Sequence, residues 1–198
     1  MKKNKLKIVN SILLILLAIF LAIFIIIGLL KETNKIYKLL FIIENCSLIT
    51  YCILETINQF TNKKRVLKKI SKSFFAFSLF SIYNFLYFTL INNLIGLIIL
   101  IIAILLTILT IIFNSINFKK TSSILLLSNA LLSLLYLPII LFKTNFYPFY
   151  ILLIGYILIN IGLIIMYLIK NKIKNLYFLI CFILGIITIN YYILKFVI

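Results

Sequence analysis

Apolar runs of about 20 residues recur along almost the whole 198-residue chain, with short lysine clusters between them. A bilayer core is about 30 Å thick, and a helix rising about 1.5 Å per residue crosses it in about 20 residues. With no water to bind peptide groups in hydrocarbon, a spanning segment must satisfy its own backbone, as a helix does. The runs predict an all-α, polytopic transmembrane helix bundle forming a single integral membrane domain over 1–198. Its seven or so helices are expected at about 8–30, 37–58, 73–90, 94–113, 122–142, 148–169 and 176–197. The chain is 65% hydrophobic and 12% charged, against roughly 45–50% and 25% for soluble domains. A soluble core of this length could not hide so much Leu, Ile and Phe.

Twenty Lys and Arg against three acidic residues leave a formal charge of +17. On a soluble domain that balance would point to nucleic acid. Here the cations lie between apolar runs, so topology accounts for them and no nucleic-acid partner is implied. Seven crossings group the N-terminal lysines, the stretch 62–72, Lys119-Lys120 and Lys170 to Lys174 on one side. That side holds fifteen of the twenty; Lys31, Lys35, Lys38, Lys143 and Lys195 are on the other. The positive-inside rule then predicts a cytoplasmic N-terminus and an outside C-terminus. The first apolar run exceeds the roughly 7–15 residues of a signal peptide and lacks a small-x-small exit, so it reads as a retained helix. Lys-rich N-terminal flank and short connections suit a bacterial cytoplasmic membrane. In the most basic connection, Lys63, Lys64, Arg65, Lys68 and Lys69 can orient the chain or lie on anionic lipid headgroups.

Chemistry is narrowed by what is missing. There is no His, and the acidic residues are Glu32, Glu44 and Glu55. That set removes most metal sites and nearly every catalytic triad or dyad. Cys46, Cys52 and Cys181 show no metal-like spacing and read as small apolar fillers. No Gly-rich phosphate loop, nucleophile elbow or acidic metal cluster occurs, so neither a metal nor a cofactor is expected. The excess of Ile, Leu, Lys and Asn reflects biased composition, which makes an isolated Asn or Lys less informative than a Glu.

The second helix carries the main candidate. Glu44, Ser47, Tyr51, Glu55 and Asn58 are spaced by three or four throughout. Eleven residues rotate about 1,100°, so both glutamates face one way, roughly 16 Å apart along the axis. Glu55 falls near the helix end, where it can snorkel to water, Lys63 or Lys64. Glu44 falls inside the hydrocarbon, where an ionised carboxylate costs at least roughly 2.5–3.5 kcal/mol. Three readings are open: a neutral carboxyl hydrogen-bonded in the core, a pair with Lys195 or Lys143, or a site for a proton, cation or cationic ligand. On the fourth helix Gly96, Ala103, Thr107, Thr110, Asn114 and Asn117 form a small-and-polar seam. With Asn129 and Ser133 on the fifth, it is expected to glue helices together or complete a polar interior with Glu44. The candidate binding residues are thus Glu44, Ser47, Tyr51, Thr107, Thr110, Asn114 and Asn129.

Lys38-Leu39-Leu40 opening helix two and Gly96-Leu97 opening helix four, with the overall size and helix layout, resemble lysoplasmalogenase-like membrane hydrolases. That resemblance implies a lipid-acting enzyme, but the Asp and His residues expected of such enzymes are absent, so no site is carried over. CAAX-type membrane proteases and haemolysin III-type proteins are disfavoured by the same lack of His. The leading expectation is a non-catalytic, transporter-like bundle or a membrane subunit that binds another membrane protein. The alternative is a lipid-modifying enzyme using Glu44 and hydroxyl side chains without a metal.

Overall fold

The computed structural model describes residues 2–31, 34–61, 66–78, 94–116, 118–132, 149–168 and 174–196. Every element among them is a helix: α1 (Lys2–Leu30), α2 (Lys35–Phe60), α3 (66–78), α4 (Leu94–Ser115), α5 (Lys119–Leu132), α6 (Phe149–Leu168) and α7 (Lys174–Phe196). Four stretches are long and apolar enough to cross a membrane: Lys5–Leu30, Lys35–Phe60, Leu94–Ser115 and Asn175–Phe196. A shorter apolar helix covers Tyr150–Met166. Such a set suits an integral membrane protein.

The helices start earlier than apolar content alone implies. α1 begins at Lys2 rather than near residue 8, α5 at Lys119 rather than Ser122, and α3 at residue 66 rather than 73. Lysine is a good helix former, and its long stem lets the ammonium reach outward while the backbone stays helical. The second half of the expected third helix, with Ser81, Asn84 and Tyr87, lies outside the described residues. So do Ser133, Tyr136, Pro138, Lys143 and the end of the expected fifth helix.

Neighbouring helices pack as α1 on α2, α4 on α5 and α6 on α7, with further contact between α1 and α7 and between α5 and α6. Ser11 Oγ on α1 donates to Gln59 Oε1 at 2.9 Å, near the end of α2. Gly28, near the end of α1, lies against Phe41 near the start of α2. The pair is therefore antiparallel. α3 joins the arc by reaching several elements. Its Ser71 bonds Glu55 on α2, Phe75 touches Tyr51 on α2 and Phe182 on α7, and Lys69 and Lys72 reach α4 and α5.

Lysines close the helix ends. Lys38 Nζ donates to Leu29 O at 3.1 Å, and Lys31 Nζ donates to Leu194 O. At the opposite end Lys69 Nζ donates to Ser115 O at 2.7 Å. Each ammonium meets a last-turn carbonyl that has no intrahelical partner and carries the negative end of the helix dipole. Because Lys31 meets the end of α7, and α1 is about 43 Å long, the start of α1 and the end of α7 lie at opposite ends of the bundle. The apolar surface points outward, as at Ile12, Ile19 and Ile26 on α1 and Ile98, Ile101 and Leu105 on α4, all exposed. Such faces suit lipid contact.

α6 and α7 touch through backbone. A Cβ on Gly155 would lie 2.9 Å from Gly185 O, and one on Gly185 would lie 2.7 Å from Gly155 O. Small residues permit this approach, which favours van der Waals packing where lipid offers no hydrophobic drive. Gly185→Ala should destabilise the protein by about 1–3 kcal/mol, because a carbonyl cannot rotate away as a side chain can. Gly162→Ala, whose Cβ would sit 3.1 Å from Cys181 Cβ, should be milder. Unfolding of purified protein in detergent by a denaturant checks the order.

A candidate site within the helix bundle

Asn34 caps α2, its side chain accepting from Ile36 N at 3.0 Å, and fixes where the helix begins. From there Phe41, Glu44, Leu48, Tyr51 and Cys52 fall on the buried side. Glu44 is fully buried, at 0% exposure. Its Oε1 and Oε2 have no hydrogen-bond partner among the described residues. Ser47, one turn on, donates its hydroxyl to Glu44's backbone oxygen at 2.7 Å and not to the carboxyl.

Bulky side chains bound the Glu44 level on both sides along the axis. One turn toward the start of α2, Phe41 packs so closely that a Cβ on Gly28 would be 2.9 Å from its ring and 3.5 Å from Leu194 Cδ2. Two turns the other way, Tyr51 meets Phe75 with ring centroids 5.0 Å apart and Phe182 at 6.3 Å. Phe75 and Phe182 lie 5.3 Å apart, and Phe182 stacks on Phe178 at 5.4 Å. These four buried rings from α2, α3 and α7 separate Glu44 from the Glu55 end of the helix. Glu55 is half-buried and accepts from Ser71 Oγ at 2.9 Å. The expected partners Lys63 and Lys64 lie outside the described residues.

The proposed ion pair of Glu44 with Lys195 does not form. Lys195 is exposed, with Nζ 3.2 Å from Tyr191 Oη and above the Tyr191 and Phe196 rings. Lys143 lies outside the described residues. Cys52 is buried, Cys46 exposed and Cys181 half-buried, all as free thiols. Among the described residues no group of three metal-ligating side chains occurs.

The α4 seam forms a separate polar group. Asn129 Nδ2 on α5 donates to Thr107 Oγ1 at 2.9 Å, both buried. Asn114 Nδ2 donates to Lys69 O at 2.7 Å and Ser73 Oγ at 3.1 Å on α3. Thr110 donates only to Leu106 O on its own helix. Thr107, Asn114 and Asn129 link α3, α4 and α5, and none of the four hydrogen-bonds the Glu44 carboxyl. Asn45, Asn160 and Asn190, which are absent from the expected site, are buried at 0%, 4% and 0% exposure. Each donates its amide to the carbonyl four residues earlier, Phe41 O, Tyr156 O and Ile186 O respectively. Their signal in the sequence is an amide in the middle of an apolar run, which carries little weight where Asn is abundant throughout.

No protein-family model matches the chain, and comparison with curated proteins and with solved structures finds no match. Asn129→Leu should lower stability by about 0.6–2 kcal/mol through loss of the α4–α5 hydrogen bond. Thr110→Val, which removes a bond within one helix, should cost less. Reversible unfolding of the two variants in detergent measures both.

Proposed function

We propose that the chain is a multi-pass protein of a bacterial cytoplasmic membrane, N-terminus inside, that binds a ligand at Glu44 as a transporter-like bundle or as a membrane subunit of a larger complex. The single observation that carries this reading is a fully buried carboxyl with no partner among the described residues. Acids at membrane depth are rare because they are costly, and where they persist they mark ion, proton or substrate paths. Ser47 and Tyr51 share the Glu44 side of α2 and complete the binding face. Thr107, Asn114 and Asn129 hold α3, α4 and α5 together, and Thr110 lies on the same seam of α4.

The positive-inside bias supports the orientation. The exposed Lys68, with Lys63, Lys64 and Arg65, suits contact with anionic headgroups at the cytoplasmic leaflet. Lys69 is committed to Ser115 O and serves the fold. An enzymatic role has less support, since no second acid, His or metal cluster accompanies Glu44 among the described residues.

Substitution separates the two glutamates. Glu44→Gln should abolish ligand-induced thermal stabilisation of purified protein, whereas Glu55→Gln should retain most of it. Equal tolerance of both changes would overturn the reading. So would turnover of labelled lysolipid by the wild type that Glu44→Ala abolishes, which would establish the enzyme instead.

A further inference from the structure

Two lysines share one face of α3 where it begins, and no described acid balances them. Lys69 Nζ donates to Ser115 O at 2.7 Å and Asn114 Nδ2 to Lys69 O at 2.7 Å, which fixes the start of α3 on the end of α4. One turn on, Lys72 reaches α5: its Nζ donates to Ser122 Oγ at 2.6 Å and to Ser123 Oγ at 2.7 Å. Ser122 is fully buried and Lys72 half-buried, so two neutral oxygens hold the ammonium in place. Lys68, one turn before Lys72 on the same face, is exposed. Burial and the Lys68 charge push the pKa of the Lys72 ammonium down to about 8. The surroundings add charge of the same sign. α5 opens with Lys119-Lys120 and has no acid in its first turn, although the start of a helix favours negative charge. Phe118 stands at its cap, the carbonyl accepting from Ser122 N at 2.9 Å, and has no side-chain oxygen for the first amides. Among the described residues neither Lys68 nor Lys72 has an ion-pair partner. Glu55 accepts from Ser71, which lies about 100° from Lys72 around α3, on the side toward α2. Phe118 and Ile124, the latter one turn from the exposed Lys120, are exposed apolar side chains.

We infer that the junction of α3 and α5 binds the phosphate of one anionic phospholipid, with Lys72 as the fixed cation, Lys68 as the second, and Ser122 and Ser123 positioning Lys72. This deepens the headgroup contact of the proposed function, on which it rests, and is independent of Glu44. Phosphate oxygens accept strong charge-assisted hydrogen bonds from ammonium groups. One such anion relieves both the repulsion between Lys68 and Lys72 and the unopposed positive end of α5. Lys72 has donated two of its three hydrogens to the serines, which leaves one for a phosphate oxygen. The apolar side chains favour a lipid over free phosphate, because acyl chains can lie along Phe118 and Ile124 while the headgroup meets the lysines.

The test uses the full chain in nonionic detergent, monitored by thermal unfolding as phosphatidylglycerol or phosphatidylcholine is added. The melting temperature of the wild type should rise with phosphatidylglycerol, as mass action requires of a ligand that binds the folded form. Phosphatidylcholine, whose own cation offsets its phosphate, should act weakly. Lys72→Gln should shift the phosphatidylglycerol midpoint about tenfold upward, the loss of one charge-assisted bond. Lys5→Gln removes the same charge from α1, near the Ser11–Gln59 contact at the same end of the bundle, and should keep the wild-type midpoint. Equal shifts in the two variants would overturn the site and leave the general headgroup contact standing. A wild type that responds equally to both lipids, or to neither, overturns the site and that contact together. Should Lys72→Gln fail to fold, Lys68→Gln, at an exposed position, must raise the midpoint by itself, and a wild-type midpoint there overturns the site. Stabilisation by sodium phosphate over sodium chloride at equal ionic strength, with none by phosphatidylglycerol, would overturn the lipid and identify free phosphate.

Discussion

With water excluded from hydrocarbon, each buried donor and acceptor must find its partner within the protein, and this chain answers mainly with its own helices. Thr50, Thr56, Ser73, Thr110 and Thr188 each donate a hydroxyl to the carbonyl four residues earlier. Asn45, Asn160 and Asn190 do the same with their amides. A hydroxyl or amide carries a hydrogen that can fork onto a carbonyl already engaged in the helix ladder. It therefore needs no partner on another helix. This local solution lets polar residues sit in long apolar helices without dictating which helices pair.

Pairing then rests on fewer contacts with more specific geometry. The Gly155–Gly185 approach fixes α6 on α7. Ser11 with Gln59 sets α1 on α2, and Asn129 with Thr107 sets α5 on α4. α3 ties these pairs together from its basic end, where Lys69 meets α4 and Lys72 bonds Ser122 and Ser123 of α5 at 2.6 and 2.7 Å. A cation at a helix C-terminus gains from both an orphan carbonyl and the dipole. The most basic stretch of the chain thus also has a packing role.

This division explains what could be read in advance. Helix existence follows from apolar runs long enough to span a bilayer, and α2, α4 and α7 begin or end within a few residues of the expected limits. α1, α3 and α5 start earlier than the apolar runs do, because lysine favours helix and its stem belongs to the helix. The spacing of Thr107, Thr110 and Asn114 showed a seam. Its partners were hidden, because partner choice depends on helix arrangement and no run of residues encodes that locally. Asn190 was invisible for a different reason: in an Asn-rich chain a single amide has little weight until its depth is known.

Glu44 differs from every other buried polar residue among those described in the kind of atom it offers. A carboxylate has two acceptors and no hydrogen, so the i−4 carbonyl that satisfies serine, threonine and asparagine is closed to it. Another helix would have to bring a donor, yet the amides of Asn45 and Asn190 are committed to carbonyls and Ser47 donates to the backbone. Lys195, the described cation expected to pair with it, sits over aromatic rings at the surface. Packing gives no account of a glutamate here, since Gln or Leu fills similar volume without the charge. What the position lacks among the described residues is positive charge or a donated hydrogen. The proposed ligand site rests on that acceptor-only group at membrane depth.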